Sequence, residues 1–403
     1  MTIKEKEKHY DSIMKKRKET QERHSKMVCK TFEVRIQENS LSKEKLEILE
    51  LLFIEGKWFY NDILRSGDIK GYNTKNNNVK VYNFETKRYR TKTLQFIDSQ
   101  MKQYLKQQAL DSIKGLSVSK NHGYNVGSLK FKKECNSLHI QDKSRIKIID
   151  EYHISIPVLH KIRVNGLEQF INDNVEIACA DIIKKPNGYF LKITTYISKN
   201  KDTRNKNKNK KKINKTIGID FGIKNSYTLS DGTAMDTKIP ESEILKKLQR
   251  KFSRTQKNSK NHSKLKRKIQ IEYQKIYNRR RDLANKLVSE LSRYDRVIIQ
   301  DELLNKWKGN NNDSKGLVKS KLKELKNVVV LDSSLPTTQF CTRCGRLNKI
   351  PLSQRVYKCS CSRKKEDRDI HAAKNMIWFY DHNIKSFNWS NRERELEKIQ
   401  KKI

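Results

Sequence analysis

The 403-residue chain carries 89 lysines and arginines against 46 acids, a formal charge of +43, with 35% hydrophobic residues. That length allows roughly two to four domains, and 33 aromatic residues argue for real cores despite the polar balance. No stretch nears the ~18 apolar residues of a membrane span, the N-terminus lacks a secretory signal's apolar core, and so large a charge calls for a polyanion, nucleic acid above all.

Residues 1–27 read as a polar N-terminal arm, and 28–37 alternate with period two as a strand does. Ser42 is placed to cap a helix over 43–64, with Leu46, Leu49, Leu52, Phe53, Phe59 and Ile63 on one stripe. Residues 67–93, rich in Asn, Lys, Tyr and Gly, read as irregular structure, and a second helix is expected over 93–113. From 127 to 197 the pattern turns to short strands (SLKFKK, SRIKII, HISIPVL, VEIACADIIKK, YFLKITTYI), with a Pro-Asn-Gly turn at 186–188 before the last.

Residues 199–215 hold nine cations and one acid without apolar periodicity, and fit either a solvated linker or a phosphate-contacting strap. A strand is expected at 216–220, then a long helix or helical hairpin over 241–291. Within it, 250–281 carries 13 Lys and Arg and only Glu272 as acid. A one-sign face of this kind suits a phosphate track, with Lys266, Arg267, Arg279 and Arg280 as candidate contacts. Strands follow at 296–300 and 328–331, with a short helix at 317–326 between them, and a helix from Asp369 to about Tyr380.

Of seven cysteines, Cys29, Cys135 and Cys179 stand alone. The others form Cys341-Thr-Arg-Cys344 and Cys359-Ser-Cys361. Two knuckles of soft thiolates suit one tetrahedral, structural Zn²⁺ that folds a segment too small for its own core. The odd total with one tight cluster points to a metal in a reducing compartment rather than to disulfides.

Three acids sit where phosphodiester chemistry would want them. Asp220 ends a strand, Glu302 follows a second with Asp301 as its local competitor, and Asp369 opens a helix. Each alone also fits a turn or cap role. Together they could converge on one sheet edge and hold two Mg²⁺ ions that clamp the attacking and leaving oxygens.

With these motifs in place, the C-terminal half resembles the RuvC-type nuclease of the TnpB family, transposon-encoded RNA-guided endonucleases related to compact type V CRISPR effectors. GIDFGIKN (218–225), VIIQDELLNKW (297–307) and EDRDIHAAKNM (366–376) resemble the family's three nuclease motifs. The resemblance implies Asp220, Glu302 and Asp369 as catalytic Mg²⁺ ligands, with Arg368 in support. Residues 335–361 resemble its zinc ribbon, with Cys341, Cys344, Cys359 and Cys361 as ligands. This chain departs from many relatives in His371, where they have Asn, and in a compressed CxC knuckle. LKFKK (129–133) and GKWFYNDIL (56–64) resemble N-terminal landmarks more loosely.

The implied architecture is multidomain α+β. A wedge β-barrel (28–40 with 119–198) is interrupted by a helical recognition lobe (41–118), and an RNase H-like nuclease (199–403) carries an inserted zinc ribbon (about 335–363). The implied partners are a guide RNA from the transposon end and double-stranded target DNA, with no membrane, a cytoplasmic and nucleoid-associated bacterial location, and a dimer left open. Base pairing would read sequence while the protein reads backbone shape and a short adjacent motif. Candidate motif readers are Trp58, Tyr60, Asn61, Tyr72, Asn77 and Arg90, since Asn and Arg can address base edges and Tyr can stack; Trp58 and Tyr60 also suit a core. The rival readings are a nuclease-inactive RNA-guided repressor, a protein-only transposase or recombinase, a non-catalytic zinc-ribbon binder, and a stand-alone CRISPR effector.

Overall fold

The computed structural model describes residues 3–83, 86–141, 143–169, 175–198, 212–223, 225–302, 304, 315–351 and 353–403. The expected linker therefore lies almost wholly outside the described residues, as do 305–307 of the second motif. The chain divides into two compact units, Met1–Asn205 and Lys206–Ile403. Among the described residues no helix is long and apolar enough to cross a membrane.

The N-terminal unit opens with helix α1 (Ile3–Ser25) and strand β1 (Met27–Ile36). Helix α2 (Lys43–Ser66), strands β2 (Asn78–Asn83) and β3 (Arg88–Thr93), and helix α3 (Ser99–Asn121) follow. Strands β4 (Ser137–Ile140), β5 (Lys147–Ile148), β6 (His153–Ile156), β7 (His160–Asn165), β8 (Val175–Lys185) and β9 (Gly188–Ser198) complete it. Seven strands form one antiparallel sheet in the order β4-β8-β9-β1-β7-β6-β5. Ser42 caps α2 by accepting from the Lys45 amide at 3.2 Å, and Gly67 ends it in the left-handed region at φ 77°. The apolar stripe of α2 joins Leu138, Ile182 and Leu191 of the sheet in one core.

Two expectations change here. The polar stretch before residue 93 contains the β2–β3 hairpin; of its described residues only Val79 is buried, so it shows no apolar run to read. Two buried acids of α2 hold it instead. Glu55 accepts from the backbone N–H groups of Gln95, Phe96 and Ile97 at 2.8–2.9 Å. Asp62 accepts from the Lys80 amide at 3.1 Å and the Tyr72 hydroxyl at 2.5 Å. Conversely, SLKFKK is no strand: the backbone of Lys132 is bound by the Asn61 amide, which donates to its carbonyl at 3.0 Å and accepts from its N–H at 2.7 Å. Strand β7, unread in the sequence because four of its six residues are polar, buries only Ile162 and Val164.

The C-terminal unit contains β10 (Ile213–Phe221), β11 (Tyr227–Leu229), β12 (Ala234–Met235), α4 (Glu243–Ser253), α5 (Lys260–Leu291), β13 (Tyr294–Gln300), α6 (Lys315–Lys323) and β14 (Val328–Leu331). A hairpin of β15 (Val356–Cys359) and β16 (Ser362–Asp367) leads to α7 (Arg368–Asp381) and α8 (Arg392–Gln400). The span 241–291 is thus two helices, broken by a turn with Asn258 at φ 67° and restarted by Ser259, whose Oγ accepts from the His262 amide. The main sheet runs β12-β11-β10-β13-β14. Strands β10, β13 and β14 are parallel, while β11 and β12 return antiparallel. Side chains on one face pack on Ala284, Leu287 and Leu291 of α5 and Val318 and Leu322 of α6. On the other face Ile298 meets Met376 and Phe379 of α7.

Helix α7 can lie this close because Gly218 has no side chain. A Cβ there would fall 2.0 Å from the Ala373 carbonyl oxygen. Gly218→Ala must push backbone away from backbone, so we expect a loss of about 2–3 kcal/mol, read as a lower urea midpoint for the C-terminal unit; an unchanged midpoint would show that α7 does not depend on this approach.

Candidate active site and metal centre

Because β10 and β13 are parallel neighbours, their carboxyl ends open on the same edge. Ile219 pairs with Ile299, so Asp220 sits level with Gln300 and Glu302 lies just beyond. Helix α7 brings the third acid to the same edge: a Cβ on Gly222 would lie 3.6 Å from Asp369 Oδ2. Asp367 caps this helix, accepting from the Asp369 and Ile370 amides at 2.9 and 3.2 Å. The structure therefore gathers Asp220, Glu302 and Asp369 from two strands and one helix.

Their electrostatics record the crowding. Burial, then the nearby Glu302 and Asp369 carboxylates, push the Asp220 carboxyl well above its ordinary range, with Arg368 opposing. Burial raises Glu302 to about 7, with Lys319 opposing. Its Oε2 is buried with no hydrogen-bond partner among the described residues. Asp369 lies between two guanidinium groups, Arg368 at 3.4 Å and Arg355 at 3.7 Å. Asp301 behaves differently. It is exposed, pairs with Lys319 and Lys323 at 2.8 Å each, and is held below its ordinary range by those bonds. The chain turns tightly after Gln300, the Glu302 amide donating to the Gln300 carbonyl at 3.0 Å, and the tandem acids divide between surface and cluster.

Three neighbours escaped the sequence reading. Lys315 is buried and donates to the Gly222 carbonyl at 2.6 Å. Lys319 is buried and donates to the Glu302 carbonyl. Arg355 reaches Asp369 from the loop before β15. The four-residue spacing of Lys315, Lys319 and Lys323 was the available signal, since it puts three cations on one helical face.

The four clustered cysteines do converge: Cys341, Cys344, Cys359 and Cys361 present sulfurs all within 4.8 Å of one another. Cys341–Cys361 and Cys344–Cys359 are 3.5 and 3.6 Å apart, near the ~3.8 Å edge of a tetrahedron with Zn–S bonds of about 2.3 Å. The first knuckle turns at Gly345, φ 67°, whose N–H donates to the Cys341 carbonyl at 2.8 Å. The compressed CxC is the turn of the β15–β16 hairpin, where Cys359 pairs with Ser362. The thiol set fits a structural zinc.

This centre is fastened to α7. His371 Nε2 donates to the Phe340 carbonyl at 2.8 Å, and its ring stacks on Tyr357 at 3.5 Å. Asn375 donates to the Thr337 and Phe340 carbonyls at 2.7 Å. On the strand side, Gln300 donates to the Asp332 and Leu335 carbonyls and accepts from Thr337 Oγ1 at 3.0 Å.

The candidate nucleic-acid residues separate into two places. Around α2 and the hairpin, a cleft of about 700 Å³ is lined by Trp58, Asn61, Arg65, Tyr82, Tyr89 and Phe131, with Lys57, Lys80, Lys132 and Lys133. Tyr60 is buried beneath it, with Lys132 Nζ 3.7 Å over its ring. Asn61 already bonds Lys132, Tyr72 bonds Asp62, and Asn77 accepts from Lys102, so these three serve the frame; Arg90 is exposed on β3. On α5, Lys266, Arg267 and Arg279 are exposed and Arg280 is half-buried.

Comparison with known proteins reaches the same stretch. The OrfB_IS605 family, described as "Probable transposase", matches residues 194–303, and the family described as "Cas12f1-like, TNB domain" matches 315–376. A protein of Streptomyces pristinaespiralis named as an RNA-guided DNA endonuclease is 31% identical over 178 residues, 40% of this chain and 44% of that one. InsQ of Escherichia coli (strain K12), also named as an RNA-guided DNA endonuclease, is 27% identical over 194 residues, 40% of this chain and 48% of that one. The match thus spans less than half the length of these curated relatives. Over these residues the chain is TnpB-like.

Two outcomes follow from this geometry. Elemental analysis of reduced, freshly purified protein should find one zinc per chain, and Cys341→Ser should lose it together with thermal stability of the C-terminal unit; metal-free wild type would refute the assignment. Glu302 should also mark the pH dependence. Unfolded, its carboxyl titrates near 4.5; folded, near 7. Between those values the folded state holds the extra proton, so stability falls as pH rises through the window. In metal-free protein Glu302→Gln should therefore be stabilising at pH 8, by on the order of 2 kcal/mol, and near-neutral at pH 4; equal effects at both pH values would contradict a charge penalty.

Proposed function

We propose that this chain is an RNA-guided DNA endonuclease. The observation that carries the reading is the convergence of Asp220, Glu302 and Asp369 on one sheet edge, with Asp220 and Glu302 raised in proton affinity, in a chain of charge +43. Crowded hard-oxygen donors, one with an unpartnered buried oxygen, suit divalent cations better than they suit each other. We assign them as ligands of two Mg²⁺ ions. When bound, the ions supply activation of a water and charge stabilisation at the leaving oxygen of a phosphodiester.

The chain's own groups complete the site. Arg368 and Arg355 hold Asp369 at the edge and place positive charge where phosphate would arrive. Lys319 fixes the backbone of Glu302 and, with Lys323, keeps Asp301 out of the cluster. The five-stranded sheet is read as an RNase H-like, RuvC-type nuclease with an inserted zinc ribbon. The N-terminal seven-stranded sheet is read as the wedge barrel, and α2, β2, β3 and α3 as the recognition lobe. The guide RNA comes from the transposon end, and duplex DNA is the target. Reading of the adjacent motif is assigned to the cleft, where aromatic faces lie among five cations. Retention of all three acids favours cleavage over a repressor role.

The test is cleavage of a randomised-motif DNA library by protein expressed with its own flanking DNA, which supplies the guide. Alanine at Asp220, Glu302 or Asp369 should abolish cutting while RNA and DNA binding persist, and Asp301→Ala should still cut. Trp58→Ala with Tyr82→Ala should change motif preference without removing metal dependence. Cutting by all three acid variants, or co-purification of no RNA, would overturn the proposal.

A further inference from the structure

Helix α5 carries a stripe that core packing does not explain. Its buried contacts come from Ile276 and, further along, Ala284, Leu287 and Leu291. Yet Tyr273 and Tyr277 are 46% and 53% exposed. Lys266, Gln270 and Arg281 are exposed as well. With the tyrosines they recur at spacings of four, three, four and four residues, which is one helical face. Two aromatic rings therefore stand in line between cations, pointing away from the core.

The first ring is held in place. Gln249 of α4 donates from Nε2 to the Tyr273 hydroxyl at 2.9 Å, fixing the ring by its polar end. Four residues of α-helix rise about 6 Å. Stacked bases in a duplex strand are about 3.4 Å apart, and their faces are covered by their neighbours. A ring pair at helical spacing instead suits bases drawn apart in an extended, unpaired strand. The surrounding charge fits the same partner, with 13 cations to one acid over 250–281.

We infer that this face of α5 binds an unpaired nucleic-acid strand, with successive bases stacked on Tyr273 and Tyr277 and the backbone phosphates on Lys266 and Arg281. Stacking on aromatic rings accepts every base, so the face adds affinity for single strands without choosing sequence. A phosphate track alone holds paired and unpaired strands alike; the tyrosines make the surface sensitive to exposed bases. The inference rests on the proposed nucleic-acid function for the class of partner only, and it does not depend on cleavage.

The experiment uses the full chain and short dye-labelled strands of equal length and charge: oligothymidylate, oligouridylate and an abasic phosphodiester. Replacing both tyrosines by Leu should weaken the base-bearing strands by about tenfold or more, leave the abasic strand unchanged and leave the salt dependence unchanged, because no phosphate contact is lost. Replacing both by Phe keeps the rings and should retain most of the wild-type affinity, losing only what the Gln249 bond to the Tyr273 hydroxyl contributes; a loss as large as that of the Leu pair would overturn stacking. The base-bearing strand bound more tightly by wild type identifies the natural strand as DNA or RNA. Photocrosslinks from 5-iodopyrimidine strands should map to residues 273 and 277. Wild-type affinity in the Leu pair, an equal loss on the abasic strand, or crosslinks confined to other segments would overturn the assignment, whatever the outcome of the cleavage assays.

Discussion

Three carboxylates that would rather be apart are held together, and much of the C-terminal unit exists to enforce that. Parallel pairing puts the ends of β10 and β13 side by side, so two acids share an edge. Gly218 lets the backbone of α7 press onto β10, which adds the third. At Asp220 burial and then the neighbouring carboxylates raise the proton affinity, and at Glu302 burial raises it. The surrounding frame must therefore be stiff enough to resist like-charge repulsion, and the arginines beside Asp369 and the buried lysines of α6 offset part of it.

The cysteine centre belongs to the same problem. It directly precedes α7, and its first knuckle is bound to that helix through His371 and Asn375. The loop leading into it is bound to the end of β13 through Gln300. Both anchors are carbonyl-directed hydrogen bonds from buried side chains, which fix position more tightly than apolar contact does. A zinc held by the knuckles would thus also help orient Asp369, although no cysteine is part of the acid cluster. His371 earns its place through this anchoring and its stack on Tyr357.

In the N-terminal unit the organising groups are also buried acids, used differently. Glu55 and Asp62 are satisfied by backbone amides and side-chain donors of the following segment, so they hold a polar hairpin against an apolar helix. The hairpin buries almost nothing of its own, and without those acceptors it would lack a reason to stay on α2. Its aromatic and basic side chains are thereby left to line an open cleft.

Much of the site was legible in the amino-acid order because its signals are local. A CxxC and a CxC within one short segment suit metal ligation by chemistry and spacing, and an acid at the end of an apolar strand is visible as such. Strands β10, β13 and β14 and helices α2 and α7 were likewise readable, since each carries its own apolar period or cap. The hairpin, β7 and the absent strand at 128–133 were not, because their structure is decided by partners far along the chain: Asp62 for the hairpin, Asn61 for Lys132. The motif resemblance chose Glu302 over Asp301, but the residues alone gave no physical reason for the choice. Both are acids at one strand end, and only the packing of α6, which offers Lys319 and Lys323 to one of them, turns that acid outward and leaves the other with the cluster. Composition and spacing determined which chemistry the chain carries; long-range contacts decided which of its side chains stand where that chemistry can act.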